Sequence, residues 1–432
     1  MGKFFVQNFG CRATQADGAA LESLLAAKGF QASGERSAAD LVVLNTCTVT
    51  AAADDDVRQA IRRVHRENPD ARILVTGCYA QRAPEELASM PGVHWVVGNS
   101  HKTQIAELVT ISSDPAPYHG NVHVGDIFAQ HDFLSAPVED AAGDRTRPNL
   151  KIQDGCNNRC SFCIIPFVRG RSRSMAPDEV VRQVGRLAAR YREVVLSGIN
   201  LGRWGREPGS RLRLVDLIGR LLAETEIDRL RLSSVEPMDF SDDLLGVMAS
   251  SPRIAPHVHA PLQSGSDRIL RRMHRKYRQR HYADRIAKAH ALMPDAAIGA
   301  DVMVGFPGET ESDFEQTCDF IAALPFTYLH VFTYSERPGT PAAQDAESVP
   351  VPVRKQRNRV LRELAASKNL EFRRRMLGRS LSAVTLHEPG IALTGNYLKI
   401  ELSAWQPANI VVQCTIKGLS STGLIEQDRP TA

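Results

Sequence analysis

Three short apolar runs near the start of the chain, Lys3–Gly10 (KFFVQNFG), Leu41–Thr46 (LVVLNT) and Ala71–Gly77 (ARILVTG), have strand length, and each runs straight into a cysteine. Between them, Ala19–Lys28 and Asp54–Glu67 carry helical patterning. Strands alternating with helices predict a parallel sheet, and right-handed crossovers point its strands the same way. Cys11, Cys47 and Cys78 are therefore expected together at the carboxyl edge of one sheet, although 67 positions separate the first from the last.

Residues 112–148 are poor in helix signal and rich in Pro, Gly, His and Asp, which predicts a linker with one strand around Asn121–Phe128. Alternation then resumes. Strands are expected at Leu150–Gln153, Glu193–Ser197, Leu230–Ser234, His257–Pro261, Ile298–Val304 and Tyr328–Thr333. Helices are expected at Ala176–Arg190, Leu214–Glu224, Asp242–Ala249, Arg278–Leu292 and Glu311–Ala323. Six strands with intervening helices predict an α/β domain built as a partial or complete parallel barrel, with an open doubly wound sheet as the alternative. After a basic helix over Arg354–Met376, short strands broken by Gly, Asn and Pro favour a small all-β barrel. The expected divisions are 1–111, a linker 112–148, 149–369 and 370–432.

Composition narrows the class. No apolar stretch among the 432 residues approaches the roughly 18 that a membrane helix needs. The opening Met1-Gly2-Lys3-Phe4 enters a strand with no secretory signal, so a cytoplasmic protein is expected. Net charge is only +4, but Arg354–Arg379 holds ten Lys or Arg against Glu363 and Glu371, a bias that suits phosphate contacts; a solvated helical face is the plainer alternative. Eight cysteines are too sparse for a disulfide scaffold, and their clustering favours metal binding or catalysis.

The tightest cluster is Asp154-Gly155-Cys156-Asn157-Asn158-Arg159-Cys160-Ser161-Phe162-Cys163, directly after a strand. Three thiolates in a turn of small polar residues can wrap one face of a cubane cluster, leaving one iron open to a ligand. A zinc site would want a fourth ligand, and the nearest candidate, His131, lies across the linker. Three buried thiols are the other alternative. The CxxxCxxC spacing resembles the radical S-adenosylmethionine family, in which the open iron chelates S-adenosylmethionine and an electron from the cluster yields a 5′-deoxyadenosyl radical. The resemblance implies Phe162 against the adenine, Ser197, Gly198 and Asn200 near the methionyl amino group, and Ser234 and Glu236 near the ribose or methionine. Gln263 and Gly305, in turns that end later strands, join the expected cofactor set, since barrel sites gather at that edge. Arg169, Arg171 and Arg173, just beyond the cluster turn, are expected to contact an anion and are counted among the RNA-binding residues, with a solvated turn as the plainer alternative. Beyond the cluster ligands no catalytic side chain is assigned.

With Cys11, Cys47 and Cys78 as a second three-ligand set, nearly the whole chain resembles the radical S-adenosylmethionine methylthiotransferases: an N-terminal three-cysteine domain, a radical domain and a TRAM-like barrel. The resemblance implies two [4Fe–4S] clusters and conversion of a C–H bond to C–S–CH3. Asn45–Thr50 (NTCTVT), Lys151–Cys156 (KIQDGC) and Phe332–Thr340 (FTYSERPGT) look like the branch acting on N6-threonylcarbamoyladenosine at position 37 of tRNA. Thr14 stands where the family usually has Asn, and of TRAM only Gly395-Asn396-Tyr397 and the terminal strands are recognisable. Arg373, Arg374, Arg375 and Lys399 are expected to meet tRNA phosphates. The implied partners are the tRNA anticodon loop, an electron donor such as flavodoxin or ferredoxin, and a sulfur source. The alternatives are methylthiolation of an aspartyl residue in a ribosomal protein and a non-enzymatic RNA-binding iron–sulfur electron carrier.

Overall fold

In the computed structural model, the strand Leu41–Thr46 is buried at every position, as an apolar run must be when helices cover both faces of a parallel sheet. Its side chains alternate between two cores. Val42 and Leu44 pack with Val57, Ile61 and Val64 of helix Ala51–Glu67 on one face, while Leu41 and Val43 pack with Leu21 and Leu25 of helix Arg12–Ala27 on the other. The sheet order is Gln31–Ala32, Lys3–Asn8, Leu41–Thr46, Arg72–Gly77, Val93–Gly98, Asn121–His123, all parallel.

Residues 2–111, 119–130, 133 and 146–427 are described, so most of the expected linker, His131 included, lies outside them. The chain divides into two units: Met1–Ala142 with Asn149–Ala176 and Ser335–Ala343, and Pro177–Tyr334 with Gln344–Ala432 and Gly143–Pro148. The first unit thus holds all six clustered cysteines and the strand Asn149–Asp154 that leads into the second trio.

In the second unit Glu193–Gly198 pairs in parallel with Arg229–Leu232, and His257–His259, Ala297–Val304 and Tyr328–Thr333 form a parallel set. A bridge from Leu230 to Ile254, just before His257–His259, and a hydrogen bond from Val235 N to His259 O at 3.0 Å join the two groups. The C-terminal strands Ser380–Thr385, Ile391–Thr394, Lys399–Glu401, Val411–Leu419 and Leu424–Glu426 close into a five-stranded barrel, and among the described residues only this sheet closes on itself. Strict alternation along Val411–Lys417 sends Val412, Cys414 and Ile416 inward, where they meet Phe372 and Met376 from the basic segment. Cys414 is therefore a core side chain. Buried Glu193 pairs with Arg231 at 2.7 Å, and Arg231 donates to the carbonyls of Thr394 and Gly395, so the barrel is docked on a satisfied internal ion pair.

The basic helix, Val351–Arg374, corrects one expectation. Arg354, Arg357 and Arg373 are buried: Arg354 donates to Val349 O, Arg357 pairs with Glu309 at 2.7 Å, and Arg373 donates to the carbonyls of Ser420 and Gly423. Arg373 is thus consumed in holding the barrel and is not a phosphate contact. Arg374 and Arg375 remain exposed.

Candidate active site

In the first unit, Cys11 caps helix Arg12–Ala27, Cys47 follows Leu41–Thr46, and Cys78 opens the short helix Cys78–Arg82 after Arg72–Gly77. The registers Asn8 opposite Asn45 and Thr46 opposite Gly77 bring the three strand ends level. Gly10 permits the close approach: its φ is 94°, and an added Cβ would lie 2.4 Å from Cys47 Cβ. Burial, then the neighbouring Cys78 and Cys11 thiols, push the Cys47 thiol up to about 12. Three thiols so crowded share a neighbourhood that a cation would convert to thiolates.

The second trio sits on the turn after Asn149–Asp154. Gly155, at φ 68°, has no room for a side chain, since a Cβ would fall 2.0 Å from Arg171 O. Cys156 N donates to Gly170 O at 3.1 Å, Cys163 N to Cys160 O at 3.1 Å, and Ser172 N to Asn157 Oδ1 at 3.0 Å. Gln153 ties the turn down by donating to the carbonyls of Asp154 and Gly155. Cys156, Cys160 and Cys163 are half-buried, and none of the chain's eight cysteines is in a disulfide. The helix that follows, Ile165–Arg169, packs Val168 with Ile164 against Cys78, so both trios border one core.

Between them lies a buried ion network that the sequence did not reveal. Asp17 pairs with Lys102 at 3.0 Å, with Arg169 at 3.0 Å, and with Lys151. Asp154 pairs with Arg169 at 3.0 Å and Lys151 at 2.8 Å. Arg169 is 1% exposed, which corrects its expected role: it is an internal cation and not an RNA contact. Arg173 approaches Asp154 at 3.6 Å from a partly exposed position, and Arg171 is exposed. Burial opposes the charge of Arg169, yet Cys78, Asp154, Asp17 and Cys11 together hold its pKa well above the ordinary value. Among the fully buried groups, Lys102, Lys151 and Arg169 outnumber Asp17 and Asp154 by one positive charge, and partly exposed Arg173 adds to the surplus, in a region where unbalanced charge is costly. An oxidised cubane held by three thiolates is a net monoanion, and would supply counter-charge to these cations if bound there. Donor set, glycine clearance and charge balance all fit such a group at Cys11, Cys47 and Cys78.

Ser335–Ala343 serves both trios. Arg337 reaches Asp54 at 2.7 Å and Ser335 Oγ accepts from Ala51 N, on the segment after Cys47, while Ala342 N donates to Ser161 O between Cys160 and Cys163. Asp54 also binds Arg82 and Thr48.

In the second unit the expected cofactor residues follow strand ends. Ser197 and Gly198 end Glu193–Gly198, with buried Asn200 just beyond, and Ser234 and Glu236 follow Arg229–Leu232. Glu236 is ion-paired with Arg275. Gln263, at φ 67°, bridges to Val302. Gly305 is explained by packing: its N–H donates to Glu309 Oε2 at 2.7 Å, and a Cβ would meet Arg354 Cγ at 2.3 Å. Phe162, in the first unit, is half-buried.

Residues 150–321 match the Radical SAM superfamily, and residues 3–98 match the Uncharacterized protein family UPF0004. A radical S-adenosylmethionine methyltransferase, TsrM, from Kitasatospora setae has a similar fold, with a TM-score of 0.58 and 16% identity over 79% of this chain and 73% of that one. The fold and the cysteine turn define a radical S-adenosylmethionine enzyme that depends on iron–sulfur chemistry. The chain is 37% identical to threonylcarbamoyladenosine tRNA methylthiotransferase MtaB of Aquifex aeolicus, over 96% of this chain and 100% of the relative. It is 41% identical to the Bacillus subtilis protein of the same name, over 81% of this chain and 77% of that one. It is 34% identical to tRNA-2-methylthio-N(6)-dimethylallyladenosine synthase of Syntrophomonas wolfei, over 86% and 84%. The chain belongs to the radical S-adenosylmethionine methylthiotransferase family. No helix among the described residues is long and apolar enough to cross a membrane.

Proposed function

We propose that this chain methylthiolates C2 of N6-threonylcarbamoyladenosine at position 37 of tRNA. The observation that carries the proposal is the joining of two three-cysteine sets through one buried ion network, in a chain alike over nearly its full length to relatives named for that activity. Cys156, Cys160 and Cys163 hold one [4Fe–4S] cluster, and Cys11, Cys47 and Cys78 a second. For S-adenosylmethionine the family resemblance offers Phe162 in the first unit and, in the second, the strand-end residues Ser197, Gly198, Asn200, Ser234, Glu236 and Gln263. Bound together, these groups supply hydrogen abstraction from an unactivated C–H bond and a sulfur to replace it. The polypeptide positions and shields: Gly10 and Gly155 let backbone close on the ligands, and Asp17, Asp154 and Arg169 fix one trio against the other. Functional boundaries at 1–111, 112–148, 149–369 and 370–432 go with this assignment, as do a flavodoxin- or ferredoxin-type reductant and a sulfur source.

Comparing tRNA nucleosides from cells with and without the gene tests it. Loss of the 2-methylthio derivative of N6-threonylcarbamoyladenosine is expected; its persistence, with a methylthio group missing from a ribosomal protein, would favour the aspartyl substrate. Anaerobically reconstituted protein should hold about eight irons per chain, and about four after Cys11, Cys47 and Cys78 are all changed to alanine.

Arg171, Arg374, Arg375 and Lys399 are the exposed cations of the expected RNA set, and Trp405, 75% exposed in the loop before Val411–Leu419, offers a flat face to an unstacked base. Arg374→Glu with Arg375→Glu should weaken tRNA binding and flatten its salt dependence by about one unit of slope for each phosphate left unneutralised. Trp405→Ala should weaken binding by about 1–3 kcal/mol with the salt slope unchanged. Filter binding across a salt series separates the two effects.

A further inference from the structure

His259, Asp301 and His330 lie in the second unit and take no part in the chemistry described above. They come from three neighbouring parallel strands whose register sets His259 opposite Gly299 and Asp301 opposite His330. Gly299 leaves space for the Tyr328 ring, which an added Cβ would meet at 2.0 Å. One donor atom from each of the three lies within 4.8 Å of the others. His259 Nε2 and His330 Nδ1 each stand 3.2 Å from Asp301 Oδ1. His259 is 5% exposed, and its Nε2 is buried without a hydrogen-bond partner.

We propose that His259, Asp301 and His330 bind one divalent first-row metal ion, zinc or ferrous iron, separate from any iron–sulfur cluster. Two imidazoles and a carboxylate are a donor set suited to both ions. Donors bonded to one tetrahedral zinc at about 2.0–2.1 Å lie about 3.3 Å apart, close to both observed separations. The His330 Nδ1 to Asp301 Oδ1 contact also has hydrogen-bond geometry, but both separations are longer than the about 2.7–2.9 Å of a charge-assisted bond. The outer contacts also match: His259 Nδ1 is 2.8 Å from the Tyr328 hydroxyl, which lies 2.7 Å from His257 Nε2. A partner on Nδ1 fixes the ring so that Nε2 faces the ion. Although burial works the other way, His259 and His330 hold the Asp301 carboxyl well below the usual carboxylate range, so the anionic ligand is in place at neutral pH. All three donors stand on strands, which hold a site more rigidly than loops do.

The test uses full-length protein whose clusters have been reconstituted anaerobically. One portion is dialysed to equilibrium against zinc, another against isotopically enriched ferrous iron, and both are desalted. One added ion per chain is expected in at least one arm. Zinc K-edge absorption should show nitrogen and oxygen at about 2.0–2.1 Å without the about 2.3 Å distance of sulfur; enriched iron should give a high-spin ferrous Mössbauer doublet distinct from the clusters. His330→Ala removes a side chain that is 53% exposed, so the fold is retained, and it should weaken binding at least tenfold with cluster iron and sulfide unchanged. Asp301→Asn should do the same. Retention of neither ion, sulfur in the zinc shell, or undiminished binding by His330→Ala overturns the proposal.

Discussion

Replacing Cys156 by alanine is expected to abolish formation of 5′-deoxyadenosine from S-adenosylmethionine and to remove about four irons per chain. Only three thiolates are available on the turn, so two remain after the change, and a cubane left with two protein ligands has lost its fixed geometry. The fold should survive. The turn is held by backbone and side-chain groups other than the Cys156 thiol, namely Cys156 N to Gly170 O and Gln153 to two carbonyls. About four irons should stay with Cys11, Cys47 and Cys78. The measurement is chromatographic quantification of 5′-deoxyadenosine after chemical reduction, alongside iron analysis and circular dichroism. Undiminished 5′-deoxyadenosine in the folded variant would mean that the radical is generated elsewhere.

The parts of this molecule that could be read in the sequence were those encoded in short windows. Leu41–Thr46 is apolar at its first four positions and Val411–Lys417 alternates without a break, so burial pattern and strand identity coincide. The convergence of Cys11, Cys47 and Cys78 followed from topology, because parallel strands end on one side. Val93–Gly98 carries no clear strand signal: the apolar run follows Pro91-Gly92 and contains His94, which obscures a strand that is wholly buried. Side-chain partners were the hardest to foresee. Arg169 looks like a surface cation in Arg169-Gly170-Arg171, and only the fold brings it to Asp17, 152 positions away. Arg373 is equally ambiguous in Arg373-Arg374-Arg375 until the barrel supplies carbonyls to accept from it. His259, Asp301 and His330 are separated by 42 and 29 positions, and parallel register alone aligns them.

The charge network sets up the second large effect. Asp17→Asn keeps the shape of the side chain and removes the one carboxylate, among the described residues, that touches Lys102, Lys151 and Arg169 together. Those cations are nearly fully buried, so water cannot compensate, and Asp154, which pairs with Lys151 and Arg169, would leave Lys102 without its carboxylate. Breaking a buried pair in this way costs about 3–5 kcal/mol, a large part of the roughly 5–15 kcal/mol that typically holds a domain together. The loss should appear as a lower midpoint in anaerobic urea denaturation at neutral pH. Lys151→Met added to Asp17→Asn returns the buried charge to its original surplus of one, and should recover part of the stability; a double-mutant cycle measures how much. Acid should mimic the substitution. Burial raises the Asp17 pKa, but Lys102, Lys151 and Arg169 outweigh it and hold the carboxyl well below its ordinary 3.8. The folded state therefore binds its proton later than the unfolded one, so this stabilisation is complete above that ordinary value and is lost as pH falls from there through the lower, folded value. Asp17→Asn should accordingly show a shallower fall in stability with acid than the parent. A parent and variant with equal midpoints at neutral pH would show that the three cations find their counter-charge without Asp17.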